Sequence, residues 1–459
     1  METLSRRLAR YVHGFSYKSL PPEVVHEAKR RLIDTLGCAI GAYGSAPGGV
    51  ARRLASSLKT TAGARVWGTG RKSSPEIAAF ANGTDVRYLD YNDTYLSKEP
   101  AHPSDNIPAA LAVAEAEGSG GRGLLAALVL GYEIQCRLCD AASLRVRGWD
   151  HVTYGALSGA LLAGWLMRLK EDQLSHAAAM AVVSNNALRQ TRVGEISDWK
   201  ACAFANAARN GVFAASLARL GMSGPEAIFE GEKGFFKVVS GPFSLPLLGG
   251  ENGAPFKILE SYIKFYPVEY HAQSAVAAAL AIHPKVRKQG RASDVIESII
   301  IRTSSVSLEI IGRDPEKWRP RTRETADHSL PYCVAVALED GRVGLAQFDA
   351  AHLRDPRIRA LLGKTRVEED AELSALYPAS IGNLIEVITP SGKSTERVDT
   401  PRGHPKNPMS DAEVEKKFRA LCDGKIPRPR ADRILRSVWR LERARDLGSL
   451  TSLLRRGSP

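Results

Sequence analysis

The chain has 459 residues, enough for a large hydrophobic core, and this length predicts two domains of unequal size. Hydrophobic residues form 44% and charged residues 25% of the chain, and no apolar run is long enough to predict a membrane span. The net charge of +13 is compatible with nucleic acid, an anionic membrane or an acidic small molecule as the partner, and the scattered basic residues without a recognised nucleic-acid motif weaken the first of these. No apolar signal core follows the N-terminus, so we expect a cytoplasmic protein.

The six cysteines do not form the pattern of a metal site. Cys136 and Cys139 are the only close pair, and no second pair completes a set of four ligands. Both lie in an apolar helical run, 124–144, where cysteine is usually a small buried hydrophobe. An iron–sulfur hydratase would need three dispersed cysteine ligands, which this sequence does not indicate.

The first part of the chain has the composition and periodicity of a helical bundle. Pro22 and Glu23 open a helix, because proline and an acidic residue favour the first helical turn. Ala- and Leu-rich segments with helical spacing follow it. They span 47–58, 75–87, 107–117, 122–144, 155–169, 172–185 and about 200–220. We therefore predict an all-helical domain here.

The sequence pattern changes after residue 265, where strand-like segments appear between the helical ones. A β-branched run at 294–303 predicts a strand, and the runs 384–389 and 395–398 predict a hairpin. Helices are predicted at 271–283 and 328–339, and the sequence SDAE at 410–413 is a capping box that opens another helix. The basic residues at 427–430 and 455–456 have the composition of a solvated tail. The predicted fold is mainly α, with a helical domain of 1–265 and 401–459 and a smaller α+β lid domain of 266–400.

A polar loop at 88–104 is the first candidate site. Asp90, Thr94 and His102 lie in a stretch without helix or strand periodicity, and Pro103 favours an extended His102. A carboxylate, a hydroxyl and an imidazole are the parts of an acid–base site. The competing interpretation is a solvated loop with an aspartate cap.

Two further polar segments precede Ala-rich helices. His151 lies at the start of one helix, with Asp150 as a simple helix cap in the alternative interpretation. The next segment, 188–200, carries Arg192 and Lys200, which suit a carboxylate ligand. A surface ion-pair network is the alternative for this second segment.

Two more segments lie in the α+β part. The sequence KFYPVEYHAQ, 264–273, carries Lys264, His271 and Gln273, where the last two are either catalytic groups or cap partners. The sequence ETADHSLPY, 324–332, carries His328 and Tyr332. Such side chains repeatedly stand before helix starts, where unpaired N–H groups favour anions.

Together these segments resemble the signature segments of the MmgE/PrpD family, the 2-methylcitrate dehydratases and their relatives, which include cis-aconitate decarboxylase. The seven matching segments occur in the family's order and cover nearly the whole chain. They are LDYNDT (89–94), HPSDN (102–106), ALRQTRVGE (187–195), WK (199–200), YPVEYHAQ (266–273), ETADHSLPY (324–332) and RGHPKNPM (402–409).

The resemblance implies a helical domain built from both chain ends, a lid domain, and an active-site cleft between them. It also implies a homodimer without metal or organic cofactor. The catalytic residues that it implies are Asp90, His102, His151, Lys200 and His271. The predicted substrate-binding residues are Thr94, Arg189, Gln190, Arg192, Lys264, Gln273, His328 and Tyr332. Base and acid are expected among the three histidines.

The expected reaction is dehydration of a hydroxy-tricarboxylate, most simply 2-methylcitrate to 2-methylaconitate. The decarboxylase-like relatives carry a His-x-Thr-Gly-Thr segment where this chain has His151-Val-Thr-Tyr-Gly155, and Gln273 resembles the dehydratase form. The alternatives are a cis-aconitate decarboxylase, or an isomerase or epimerase of another polycarboxylate. Outside enzymes, the alternative is a helical protein-binding scaffold.

Overall fold

The structure is a computed structural model that describes residues 2–58, 60 and 63–456. Helices account for 59% and strands for 9% of it, which confirms the mainly α prediction. The chain forms two compact units. The first comprises Met1–Arg192, Asp198–Ser261 and Ser410–Pro459, and the second comprises Val193–Ser197 and Tyr262–Met409. Residues 1, 59, 61, 62 and 457–459 of the predicted helical domain lie outside the described residues.

The first nine helices belong to the first unit, together with a small antiparallel pair of strands, β1 (Ala64–Arg65) and β2 (Lys72–Ser73). The helices are α1 (Leu4–Gly14), α2 (Pro22–Gly41), α3 (Ala46–Ser57), α4 (Pro75–Tyr88), α5 (Ile107–Ala116), α6 (Gly121–Ala141), α7 (Val152–Leu166), α8 (Glu171–Ser184) and α9 (Trp199–Arg219). Small residues let them approach closely: a Cβ on Gly211 of α9 would lie 2.5 Å from the carbonyl oxygen of Ala156 in α7. The predicted helical bundle is confirmed, and the β1–β2 pair is an addition to it.

The second unit combines short helices with one sheet. Its helices are α10 (Gln273–Arg287), α11 (Ala292–Val295), α12 (Ser305–Ser307), α13 (Pro315–Trp318), α14 (Arg323–Ala326), α15 (Leu330–Asp340), α16 (Pro356–Gly363) and α17 (Ala371–Ala375). Its strands are β3 (Ser298–Thr303), β4 (Thr365–Glu369), β5 (Asn383–Thr389) and β6 (Gly392–Val398). The sheet order is β4-β3-β5-β6, with β3 parallel to β4 and antiparallel to β5.

The predicted hairpin is confirmed as β5–β6, with Thr389 opposite Gly392. The predicted strand at 294–303 is corrected at its start, because α11 ends at Val295 and β3 begins only at Ser298. Ile299 and Ile301 alternate with less buried neighbours and point into the core of this unit. Strand β4 was not predicted from the sequence.

The C-terminal part returns to the first unit as α18 (Asp411–Cys422), α19 (Arg428–Trp439) and α20 (Gly448–Thr451). Helix α18 packs on α2, and the predicted capping box between Ser410 and Glu413 is present. The basic residues predicted to be solvated are exposed at 427–429 and 455–456, but they belong to an ordered part of the chain. Residues 428–430 begin α19, and Arg430 Nη1 donates to the carbonyl oxygen of Arg455 at 3.0 Å.

All six cysteines are buried, which confirms the predicted burial of Cys136 and Cys139. Among the described residues, no helix is both long enough and apolar enough to cross a membrane.

Candidate active site

The loop after α4 is tied down by its own polar side chains. Asn92 Nδ2 donates to Ser104 Oγ at 2.9 Å and to Asp105 Oδ1 at 2.8 Å. Asp93 accepts from the backbone N–H of Ser104 at 3.0 Å and from the hydroxyl of Tyr132 at 2.6 Å. Asn92 and Asp93 therefore fix the shape of the loop, and the loop in turn presents its other side chains.

Asp90 lies between two buried cations. Its backbone is left-handed (φ 48°), a conformation that aspartate tolerates better than most residues, and this turns the chain sharply after α4. One carboxylate oxygen pairs with Arg87 Nη1, and the other lies 3.4 Å from Lys200 Nζ. Arg87 and Lys200 are each only 2% exposed, and Arg87 Nε also lies 3.8 Å from Asp105, so the cluster holds charges of both signs away from water.

The hydrogen bonds of His102 fix its tautomer. Its Nδ1 lies 2.7 Å from the carbonyl oxygen of Asp93, which can only accept, so Nδ1 carries the proton. Its Nε2 lies 2.9 Å from Arg87 Nη2, which can only donate, so Nε2 is the acceptor. Thr94 Oγ1 lies 3.2 Å from Nδ1 on the same side as Asp93. His102 is thus held neutral, in the extended conformation predicted before Pro103 (φ −124°, ψ 86°).

His151 forms a dyad with Asp150 at the start of α7. Its Nδ1 lies 2.9 Å from Asp150 Oδ1, and the other carboxylate oxygen lies 2.9 Å from Arg192 Nε. Burial disfavours the Asp150 carboxylate, but Arg192 and His151 outweigh it and hold the pKa of Asp150 well below its usual range. Asp150 is therefore an anion that orients the imidazole. It also accepts from the N–H of Val152, so the helix-cap interpretation holds alongside the dyad.

Two buried nitrogens beside Asp150 have no hydrogen-bond partner in the part of the chain that the structure describes. They are His151 Nε2 and Arg192 Nη2. The ring of His151 meets that of His102 edge-on, with centroids 5.7 Å apart. A proton-accepting nitrogen and a guanidinium donor with unused capacity are the groups that proton abstraction from a carboxylate substrate requires.

Asp105 pairs with Arg87 of this cluster, and Lys417 binds the loop that carries Asp90. Burial raises the pKa of Asp105 to about 7, opposed by Arg87, so this carboxyl is partly protonated near neutral pH. Lys417 of α18 donates to the carbonyl oxygen of Tyr91 at 2.7 Å, covers the Tyr91 ring at 3.7 Å and pairs with Asp34 at 2.6 Å. The candidate loop is therefore anchored by the C-terminal part of the chain.

The second unit holds a carboxylate–imidazole pair of its own. His271 Nδ1 lies 2.9 Å from Glu269 Oε1, and the backbone N–H of His271 donates to Glu269 Oε2 at 2.8 Å. His271 Nε2 has no partner among the residues with described positions, and the ring stacks on Tyr377 at 5.8 Å. Burial would raise the pKa of Glu269, but His271, His328 and Lys264 lower it to about 2.

His328 forms a further pair with Asp327 in the same unit, at 2.6 Å between Nδ1 and Oδ1. The backbone N–H of Glu269 donates to the carbonyl oxygen of Asp327 at 2.8 Å, which joins the two pairs. The structure thus brings Lys264, His271 and His328 together within the second unit. In the first unit it brings together Asp90, Thr94, His102, His151, Arg192 and Lys200.

Four predicted substrate-binding residues have other surroundings. Gln273 accepts from the N–H of Tyr266 and donates to the carbonyl oxygens of Tyr266 and Val268, which is the cap-partner alternative. The hydroxyl of Tyr332 donates to the carbonyl oxygen of Gln347 at 2.8 Å. Gln190 is exposed, and Arg189 is half-buried with its backbone N–H bound to the carbonyl oxygen of Gly148.

Sequence reasoning missed Arg87, Asp105 and Lys417. Arg87 occupies the last turn of α4, where a cation usually only complements the helix dipole. Its position three residues before Asp90 was the one available signal. Nothing near Lys417 in the sequence indicates its contact with Tyr91, which lies 326 residues away.

Comparison with known proteins matches both parts of the chain. Residues 6–247 match the MmgE/PrpD N-terminal domain, and residues 266–443 match the MmgE/PrpD C-terminal domain. The 2-methylcitrate dehydratase of Cupriavidus necator is 33% identical over 82% of this chain and 81% of its own length. That of Salmonella typhimurium is 30% identical over 88% of this chain and 87% of its own. Human cis-aconitate decarboxylase is 26% identical over 100% of this chain and 96% of its own.

Proposed function

The chain belongs to the MmgE/PrpD family, whose named relatives above are lyases, and we propose that it is a hydro-lyase that converts 2-methylcitrate to 2-methylaconitate. The observation that carries the proposal is the pair of unpartnered buried nitrogens, His151 Nε2 and Arg192 Nη2, on either side of Asp150. One is suited to take a proton, and the other to bind the carboxylate next to the carbon that loses it.

In the proposed reaction, His151 is the base. Asp150 accepts from Nδ1–H, so the lone pair of the neutral ring lies on Nε2. As Nε2 takes the proton, the anionic Asp150 stabilises the imidazolium that forms. His102 is a weaker candidate for the base, because Arg87 already donates to its Nε2. We assign His102 to orienting the cluster together with Thr94.

The negative charge that develops on the substrate needs fixed cations. Arg192, Lys200 and Arg87 are held in place by Asp150 and Asp90, so they require little reorganisation when charge appears. The departing hydroxyl needs a proton. We assign the imidazolium formed at His151 as its donor, so the proton taken from carbon leaves in the water molecule, the neutral base is restored and Lys200 stays charged. Asp90 positions Lys200 and does not itself transfer the proton in this scheme.

The second unit supplies proposed binding residues. His271 Nε2 is buried without a partner in the described structure, and Lys264 and His328 lie near the same Glu269. We assign all three to substrate binding. Gln273 and Tyr332 keep a supporting role, because their polar groups are used within the unit.

A cis-aconitate decarboxylase is the second candidate, because the human enzyme of that name aligns with the whole chain. The experiment that separates the candidates offers purified protein 2-methylcitrate, citrate and cis-aconitate in turn, with product identification by mass spectrometry. The proposal expects loss of water from 2-methylcitrate, before and after dialysis against a chelator, as a cofactor-free enzyme requires. Loss of carbon dioxide from cis-aconitate, without loss of water from 2-methylcitrate, would replace the first candidate by the second.

We also propose that the protein is a homodimer. Val50 and Leu54 are 57% and 49% exposed on one face of α3, and Phe213 of α9 is 54% exposed. Contiguous exposed apolar patches mark interaction surfaces, and Val50 and Leu54 are neighbours one turn apart on α3. Light scattering coupled to gel filtration checks the mass, with Leu54→Asp as the variant that should weaken the dimer.

A further inference from the structure

The second unit contains a cavity that none of the proposed catalytic residues lines. Its volume is about 580 Å³, within the range of small-molecule sites. One wall is the turn that follows α13, at Trp318–Arg321, and the opposite wall is α16 with Ile358 and Arg359. The inference drawn from this cavity goes beyond the proposed lyase activity.

Three arginines line the cavity, and no acidic residue does. They are Arg319, Arg321 and Arg359, all exposed, and none forms an ion pair with a carboxylate among the described residues. Arg357, two residues before Arg359 on α16, differs: it pairs with Asp355 at 2.5 Å and lies 3.6 Å from Glu339. The cavity thus gathers unneutralised guanidinium groups, which suit phosphate and carboxylate oxygens.

The remaining lining is mainly apolar, and the polar atoms of its Trp318 and Tyr332 side chains already form hydrogen bonds within the protein. Trp318 Nε1 donates to the carbonyl oxygen of Gly312 at 3.0 Å, and the Tyr332 hydroxyl donates to that of Gln347 at 2.8 Å. Leu353, Ile358 and Leu362 complete the wall. Such a surface favours an organic ligand over an inorganic ion, because burial of apolar ligand surface adds to affinity.

We propose that this cavity binds a phosphorylated organic ligand, with several phosphate oxygens on the arginines and an apolar ring against Trp318 and Leu353. Three like charges around one cavity repel one another, and a polyanion relieves that repulsion. Arg319 and Arg321 also line an adjoining cavity together with Glu195 and Glu316, and Arg359 does not line that cavity. Because Arg359 lines only the proposed site of these two cavities, a substitution of Arg359 tests that site without changing the adjoining cavity.

The test uses the full-length protein and isothermal titration calorimetry with adenosine triphosphate and with inorganic tripolyphosphate, both in the presence of a chelator. Adenosine triphosphate should bind, and tripolyphosphate should bind at least about tenfold more weakly because it lacks a ring. Arg321→Ala and Arg359→Ala should each weaken adenosine triphosphate binding about tenfold, with further weakening at high salt. Trp318→Phe should abolish the change in tryptophan fluorescence on binding.

The matched control is Arg354→Ala, which removes the same charge from an exposed position outside the cavity. Equal affinity in Arg354→Ala and Arg359→Ala would show attraction to the basic surface in general and overturn the proposal. So would displacement of the nucleotide by citrate, or binding of tripolyphosphate as tight as that of adenosine triphosphate. Turnover of 2-methylcitrate by Arg359→Ala should be unchanged, so failure of this inference and failure of the proposed activity are separate results.

Discussion

The two units each contain a carboxylate paired with a buried histidine, and the two pairs differ in what surrounds them. Asp150 and His151 are 2.9 Å apart, as are Glu269 and His271, and both carboxyl pKa values lie below their usual range. In both pairs, Nε2 has no partner among the described residues. By residue type alone, the pairs are equivalent.

The contacts of the second carboxylate oxygen distinguish the two pairs. The other oxygen of Asp150 holds Arg192, which has an unused donor, whereas the other oxygen of Glu269 accepts from the backbone of His271 itself. The His151 side chain is 11% exposed and that of His271 is 1% exposed. The two pairs therefore differ in the donor of Arg192 that remains available beside Asp150 and in the greater exposure of the His151 side chain.

The largest effect is expected from His151→Asn. Removing the proposed base should lower kcat by about 10²–10⁴-fold, because Asn keeps the volume and loses the proton transfer. Steady-state turnover of 2-methylcitrate measures this, with thermal unfolding as the check on the fold. Turnover within a few-fold of the original protein would remove His151 from the mechanism.

Asp150→Asn should lower kcat by about 10²-fold, less than loss of the base itself. The amide keeps the geometry but no longer stabilises the imidazolium or compensates Arg192. Turnover of 2-methylcitrate at steady state measures this, and thermal unfolding checks the fold. An unchanged kcat would show Asp150 to be only a helix cap.

His271→Asn should cost about tenfold, expressed in KM rather than in kcat. A hydrogen bond to an anionic substrate contributes equally to the ground state and the transition state when no proton moves. Kinetics over a range of substrate concentrations separate the two constants. If His271→Asn lowered kcat as much as His151→Asn does, both histidines would take part in the chemical step, and the proposed difference between the two pairs would be wrong.

The smallest effect concerns stability. The pKa of Glu269 is lowered to about 2, so its contribution to folding is present above its ordinary pKa of about 4.3 and is lost as pH falls toward 2. Urea unfolding of the original protein and Glu269→Gln should therefore give a difference in unfolding free energy that shrinks between about pH 5 and pH 3. A constant difference would contradict the lowered pKa.

Much of the fold and part of the site follow from local sequence. Ala- and Leu-rich periodicity predicts the helices of the first unit, and His151 and Lys200 are candidate residues because polar side chains stand out beside such helices. Strand β4 was missed because its sequence, TRVEE, is mostly charged and gains its conformation from parallel pairing with β3.

The missed and ambiguous site residues depend on tertiary structure. Arg87 resembles any cation at a helix end, and it becomes a site residue only because Asp90 turns back toward it. The Gln273 side chain suited either a ligand contact or a loop contact, and only the positions of Tyr266 and Val268 decide between them. Local pattern identifies chemical groups, whereas their partners come from distant parts of the chain.

The anchoring of the Tyr91 loop by Lys417 bears on biosynthesis. The two residues are 326 positions apart, so at about 5–20 residues per second a ribosome makes the loop roughly a quarter of a minute to a minute before its anchor. During that interval Asp34 is also without its ammonium partner. Nascent chains should therefore acquire competence for turnover only after α18 has emerged from the exit tunnel, and stalled chains should be targets for quality control.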